Sequence, residues 1–152
     1  MSMFDALNIS ASALSAERQR SEVAATNLAN VDTTHRSDGT GPFRRKEVVL
    51  TATGGARFRS MLSGASTFAS TGRGEPGSVH MTQVVEDSTP AIRRYEPGHP
   101  DADKDGYVAY PAINPTQEMV DLMGSVRAYQ LNASAVTASK QLIQQSIDLL
   151  KS

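Results

Sequence analysis

Apolar residues recur at both ends of this chain in alternating steps of three and four. From Phe4 the stepping gives Leu7, Ala11, Leu14, Arg18, Ser21, Ala25 and Leu28, a seam that is apolar except in its middle. Its Ala and Ser members imply close approach by a partner helix. From Met119 the same stepping gives Leu122, Val126, Tyr129, Ala133, Val136, Lys140, Ile143, Ile147 and Leu150, with Lys140 the one charged position. Asn114 is placed to cap this second helix, Pro115 suits its first turn, and Gln117 stands where a capping-box partner would. The first helix is expected to start at Ser2 or Met3 and to end between Asn30 and Asp32, where Thr33, Thr34 and Gly39 break the pattern. At ~1.5 Å per residue the helices would run roughly 40 and 55 Å, longer than a compact domain of this size needs.

Between Thr33 and Pro111 the period shortens. Arg44 to Thr53, Val79 to Glu86, Ala91 to Tyr95 and Tyr107 to Tyr110 each fit a strand, and together they predict a small antiparallel sheet. Gly54 to Gly77 is rich in Gly and Ser and reads as a long flexible loop. The expected fold class is α+β, with two long terminal helices packed as an antiparallel coiled coil and a small antiparallel β domain inserted between them. Residues 1–32 and 114–152 form the discontinuous helical domain, and 33–113 the β domain with its loop at about 54–77.

Composition narrows the chemistry. With 152 residues the chain supports one modest core plus appendages, and 15 basic against 16 acidic residues leave a net charge of −1. No bulk basic field exists to hold nucleic acid or an anionic membrane. The chain has no cysteine, so thiolate metal sites, disulfides and cysteine nucleophiles are excluded together. The first twenty residues lack both a basic leader and a continuous apolar run, so neither a cleaved signal peptide nor a membrane span is expected.

Three motifs invite a chemical reading. Asp101, Asp103, Asp105, Gly106 and Val108 reproduce the first half of an EF-hand loop, but Ala112 stands where a bidentate Glu should close the calcium shell. Pro97, Pro100 and Pro111 leave no room for the entering helix, and an acidic turn leading into a strand is the better reading. Gly72, Gly74 and Gly77 satisfy G-x-G-x-x-G, yet Pro76 removes an amide and a strand follows where a dinucleotide site needs a helix. His35, His80 and His99 have no metal-ligand spacing. No catalytic, metal-binding or cofactor-binding residue is assigned, and no enzyme is expected. Arg44, Arg45 and Lys46 with Arg93 and Arg94 read chiefly as the solvated side of strands.

The stretch Ala25-Thr26-Asn27-Leu28-Ala29-Asn30-Val31-Asp32-Thr33 resembles the N-terminal signature of the flagellar rod and hook proteins, A-x-N-L-A-N-x-x-T. Tyr95 through Asp103, Gly106 to Val108, Tyr110 to Pro115, Glu118 to Val120, Arg127 to Gln130 and Ser139 to Gln141 are similar to the proximal-rod branch of that family. The resemblance covers nearly the whole chain except Gly54 to Gly77. Phe43 stands where a Tyr-type aromatic is common.

Periodicity alone does not separate a private two-helix core from an assembly surface. A seam as rich in Ala and Ser as the first buries little area at ~25 cal/mol per Å², against the entropy of ordering some sixty residues. The resemblance favours assembly. It implies a structural subunit of the flagellar proximal rod, passing through the type III export apparatus and polymerising through its terminal helices around an axial channel. The implied partners are copies of itself, neighbouring rod proteins, and the rod base with its membrane ring proteins. The expected assembly positions are Phe4, Leu7, Leu14, Ala25, Asn27, Leu28 and Asn30 in the first helix, and Met119, Leu122, Val126, Tyr129, Val136, Ile143, Ile147 and Leu150 in the second. Asn27 and Asn30 fall near a helix end, where amides cap carbonyls or bond across to the other helix and so fix register. The competing readings are a coiled-coil adaptor that grips a flagellar or export-apparatus client and a calcium sensor built on Asp101 to Gly106.

Overall fold

The computed structural model describes residues 3–36, 39, 41–53 and 77–151. The side chains of Phe4 and Leu150, the glycines Gly72 and Gly74, and the loop expected at 54–77 (apart from Gly77) lie outside the described residues. Helix α1 runs Met3–Ala29 and helix α2 runs Pro115–Lys151, with strands β1 (Lys46–Thr53), β2 (Ser78–Glu86), β3 (Ile92–Tyr95) and β4 (Tyr107–Tyr110) between them. The fold class is α+β.

Both helix ends at the centre of the chain are closed by asparagine. The Asn30 side-chain amide donates to the Thr26 carbonyl at 2.8 Å, beside the Asn30 backbone N–H that reaches the same oxygen at 3.2 Å, and so reinforces the last turn. At the start of α2, Asn114 Oδ1 accepts the N–H groups of Thr116 at 3.0 Å and Gln117 at 3.4 Å, and Pro115 occupies the first helical position, where its missing donor costs nothing.

The four strands form two separate two-stranded ribbons, β1 with β2 and β3 with β4, where the sequence pattern suggests one sheet. The β3–β4 ribbon is antiparallel, with Ile92 opposite Tyr110 and Tyr95 opposite Tyr107. Prolines bound its length. Pro90 precedes β3, Pro97 and Pro100 occupy the connection, and Pro111 follows β4, so the ribbon stays four residues long. Gly106 holds φ at +79°, the left-handed conformation that brings the chain back into β4.

The chain divides into two compact units. One comprises the described parts of Met1–Arg18, Leu50–Thr82 and Val126–Ser152; the other is Gln19–Val49 with Gln83–Ser125. In the first, Ser12 Oγ donates to the Ile9 carbonyl at 2.8 Å and accepts the Val79 N–H at 3.1 Å, which ties α1 to β2. Thr51 and Thr82 share a hydroxyl hydrogen bond across β1 and β2 at 2.5 Å. In the second, Val108, Tyr110 and Ile113 are buried together with Ala24. Among the described residues the buried apolar side chains are Ala16, Ala24, Val108, Tyr110 and Ile113.

Candidate assembly interface

Within the second unit, α1, β1 and α2 meet at one side chain. Asn27 is 1% exposed and makes three hydrogen bonds through its side-chain amide. Its Oδ1 accepts the Lys46 N–H at 2.9 Å, while Nδ2 donates to the Lys46 carbonyl at 2.9 Å and to Glu118 Oε2 at 3.0 Å. The amide thus pairs with one residue of β1 as a neighbouring strand would, and its remaining hydrogen binds α2. Only an amide supplies that acceptor and both donors at this length.

Glu118, 2% exposed, takes its second oxygen to Arg45, whose Nε donates to Oε1 at 2.6 Å. Arg45 also contacts Glu47 and lies 3.8 Å from Asp121. The Glu118 hydrogen bond, reinforced by the charges of Glu118 and Glu47, outweighs partial burial and raises the pKa of the Arg45 guanidinium above its ordinary value. A buried pair of this kind adds little net stability over an apolar contact, but losing one partner leaves a buried charge, so the pair fixes which residues of α1, β1 and α2 face each other.

The acidic turn is committed internally. Asp103 Oδ1 accepts the N–H groups of Asp105 and Tyr107, each at 2.9 Å, and Oδ2 pairs with Arg93. The Tyr107 N–H is the main cause of a lowered Asp103 carboxyl, with burial opposing. Asp101 Oδ2 accepts the Thr34 hydroxyl at 2.6 Å and lies 3.3 Å from His35 Nδ1, and the Thr34 bond is the main cause of its lowered carboxyl. These carboxylates anchor the segment after α1 to the β3–β4 connection. Among the described residues, no group of three His, Cys, Asp or Glu could hold a metal, and no helix is long and apolar enough to cross a membrane.

Among the described residues, the fully buried positions of the two helices are small or polar, and half-buried apolar side chains flank them, Ile9 and Val23 on α1 and Leu122, Val136 and Ile143 on α2. On α1 the buried positions are Ala16, Ala24 and Asn27; on α2, every seventh residue from Glu118 gives Ser125, Asn132 and Ser139, of which Glu118 and Ser125 are buried and the others half-buried. The α1 seam falls elsewhere. At ~100° per residue, Leu14 projects about 160° from Ala16, and Ala25 about 160° from Asn27. Ala25 is exposed, Leu7, Leu14, Leu28 and Asn30 are half-buried, and Leu28 lies on the flank toward Ala24. On α2, Met119, Val126, Tyr129 and Ile147 are 43–50% exposed, whereas Leu122, Val136 and Ile143 are half-buried.

Two features were missed by the reading of the sequence. Arg45 was grouped with a basic strand face; the signal for its role was a Glu in the first turn of α2 with no basic residue one turn away. Leu131, Leu142 and Leu149, 67%, 56% and 77% exposed, lie on the other flank of α2 and follow the same alternating steps when counted from Leu131.

Known proteins resemble the chain over its length. A family model described as flagella basal body rod protein matches residues 7–35, and one described as flagellar basal body rod FlgEFG protein C-terminal matches 104–149. The flagellar basal-body rod protein FlgC of Bacillus subtilis strain 168 is 39% identical over 155 residues, covering 99% of this chain and all of the relative. Those of Escherichia coli O6:H1 and Borreliella burgdorferi are 35% and 30% identical, with 98% and 99% of each chain covered.

Proposed function

The chain belongs to the FlgC family of flagellar basal-body rod proteins, and from that premise we propose that it polymerises through its two terminal helices into the proximal rod. It is a structural rod subunit of the flagellar basal body. The observation that carries the proposal is that the fully buried helix positions hold Ala, Ser, Asn and Glu while Met119, Val126, Tyr129 and Ile147 stand open. Exposed apolar stripes at helical spacing are surfaces awaiting helices.

In this reading α1 and α2 pair as an antiparallel coiled coil through their small-residue faces, with Asn27 and Glu118 setting the register. Each compact unit supports it by joining opposite parts of the helices, the start of α1 with the later part of α2 and the end of α1 with the start of α2. The positions Phe4, Leu7, Leu14, Ala25 and Leu28 on α1 and Met119, Leu122, Val126, Tyr129, Val136, Ile143, Ile147 and Leu150 on α2 contact neighbouring rod subunits around an axial channel. Residues 33–113 face outward as the β domain. The rod then transmits torque and meets ring proteins at its base, after export of the chain through the type III apparatus.

Replacing the resident subunit of a flagellated cell by a Leu14→Glu, Val126→Glu variant tests this. The variant is expected to be secreted yet to give no rods in electron micrographs and no motility. Normal basal bodies built from it would refute polymerisation through these faces.

A further inference from the structure

The second stripe of α2 has no role in the interface just proposed. Leu131, Ala135, Ala138, Leu142, Gln145 and Leu149 follow alternating steps of four and three, and all six are exposed. Such spacing specifies an α-helical occupant crossing at a shallow angle. The flanking positions Asn132, Ser134, Ser139, Gln141, Ser146 and Asp148 include no basic residue, which argues against an anionic lipid surface and leaves room for close helix approach.

We infer that this stripe receives α1 of a second copy of the same chain, antiparallel, with Arg18 opposite Gln145. The inference rests on the rod-subunit reading and identifies which two faces meet. Each stripe is interrupted by a long polar side chain at one position, Arg18 on α1 and Gln145 on α2, and both side chains are exposed. Placing these two in one layer of an antiparallel pair sets the others in turn: Leu28 on Ala135, Ala25 on Ala138, Ser21 on Leu142 and Leu14 on Leu149. Large residues then meet small ones in two of the four remaining layers, and the overlap extends from Leu14 to Leu28. A polar residue at one core position of a helix pair is the usual device for fixing register. A parallel pairing, which matches like heptad positions, does not bring Arg18 and Gln145 together.

The contact joins two different patches, so a subunit that offers its α2 stripe to one neighbour still has its α1 seam free for another. Such heterologous contacts propagate without self-closure when the rotation does not close, which is the symmetry a rod requires.

The absence of native cysteine makes the test clean. Two full-length chains, one Ala25→Cys and one Ala138→Cys with an epitope tag, replace the resident subunit in a flagellated cell, and isolated basal bodies are oxidised. Facing Cα atoms in an Ala–Ala layer fall within disulfide reach. The expected product is the mixed disulfide, at least tenfold more abundant than with Ala11→Cys in place of Ala25→Cys. A tagged homodimer, a disulfide to a different rod protein, or no mixed product from basal bodies that contain both chains would overturn the inference and leave the rod reading intact. Absence of the unsubstituted tagged chain from basal bodies would instead sink the rod reading. As a second measurement, Gln145→Arg alone is expected to abolish incorporation by facing Arg18, and Arg18→Gln in the same chain to restore it; failure of that rescue with normal secretion also counts against the proposed register.

Discussion

Asn27 shows how much one side chain decides at the centre of this molecule. Replacing it by Ala strands the Lys46 N–H and carbonyl and removes a donor from Glu118, at a cost of about 2 kcal/mol in urea denaturation. Asn27→Asp is expected to cost more at neutral pH despite its near-identical shape. The new carboxylate cannot donate to Lys46, and it stands about 3 Å from the Glu118 carboxylate, which raises the pKa of the new carboxyl. A carboxyl with a raised folded pKa loses stability as pH climbs through that value, so the deficit of Asn27→Asp against the parent should shrink between pH 7 and pH 5. A pH-independent deficit would show that the two carboxyls do not interact. For the adjacent ion pair, Glu118→Met and Arg45→Met are each expected to destabilise by about 3 kcal/mol, and the double variant by less than the sum. The importance of Asn27 was legible in the sequence from its place near a helix end. Its partner was not, because a backbone group nineteen positions away carries no side-chain signature.

At the scale of elements, helices were legible and ribbons only partly so. Helix bounds follow from Asn30, Asn114 and Pro115, whose chemistry is local. Strand pairing is not local, and four short β runs contain nothing that distinguishes one sheet from two ribbons. The β3–β4 ribbon depends on Gly106, where an added Cβ would come 2.9 Å from Tyr95 Cε2 in a backbone conformation that L residues rarely adopt. Gly106→Ala should destabilise the ribbon by more than about 1 kcal/mol, read as faster amide exchange in β3 and β4. Asp103 adds an acid limb. Its folded carboxyl lies below the ordinary 3.8, so its contribution is complete above that value and is lost as pH falls through the lowered one. Asp103→Asn should flatten this limb. On α2, the exposed Leu142 is expected to tolerate Glu with less than about 0.5 kcal/mol change in the isolated chain, so any loss of rods from Leu142→Glu reports on assembly.

For the whole molecule, family and role were readable because the Asn-rich stretch and the segment after Tyr95 carry specific residues, while the heptads supplied the mechanism. The direction in which each heptad face points was not readable, since periodicity marks a stripe without naming what covers it. Among the described residues, the fully buried positions of both helices are polar or small, while Met119, Val126, Tyr129 and Ile147 of the α2 seam are exposed and its other described apolar members half-buried. The isolated chain should therefore hold its central residues more firmly than its ends. Deuterium exchange of dilute monomer is expected to show strong protection at 24–30 and 108–125 and weak protection before Ala16 and after Ala133, because few apolar contacts secure the outer turns. The most direct test of the account is a high-resolution electron cryomicroscopy map of an intact basal body containing this chain. The account predicts α1 and α2 lining the axial core, with Leu14, Ala25, Val126 and Leu142 buried against neighbouring subunits and residues 33–113 outside. A rod in which those side chains remain in solvent, or in which the β ribbons line the channel, would contradict it.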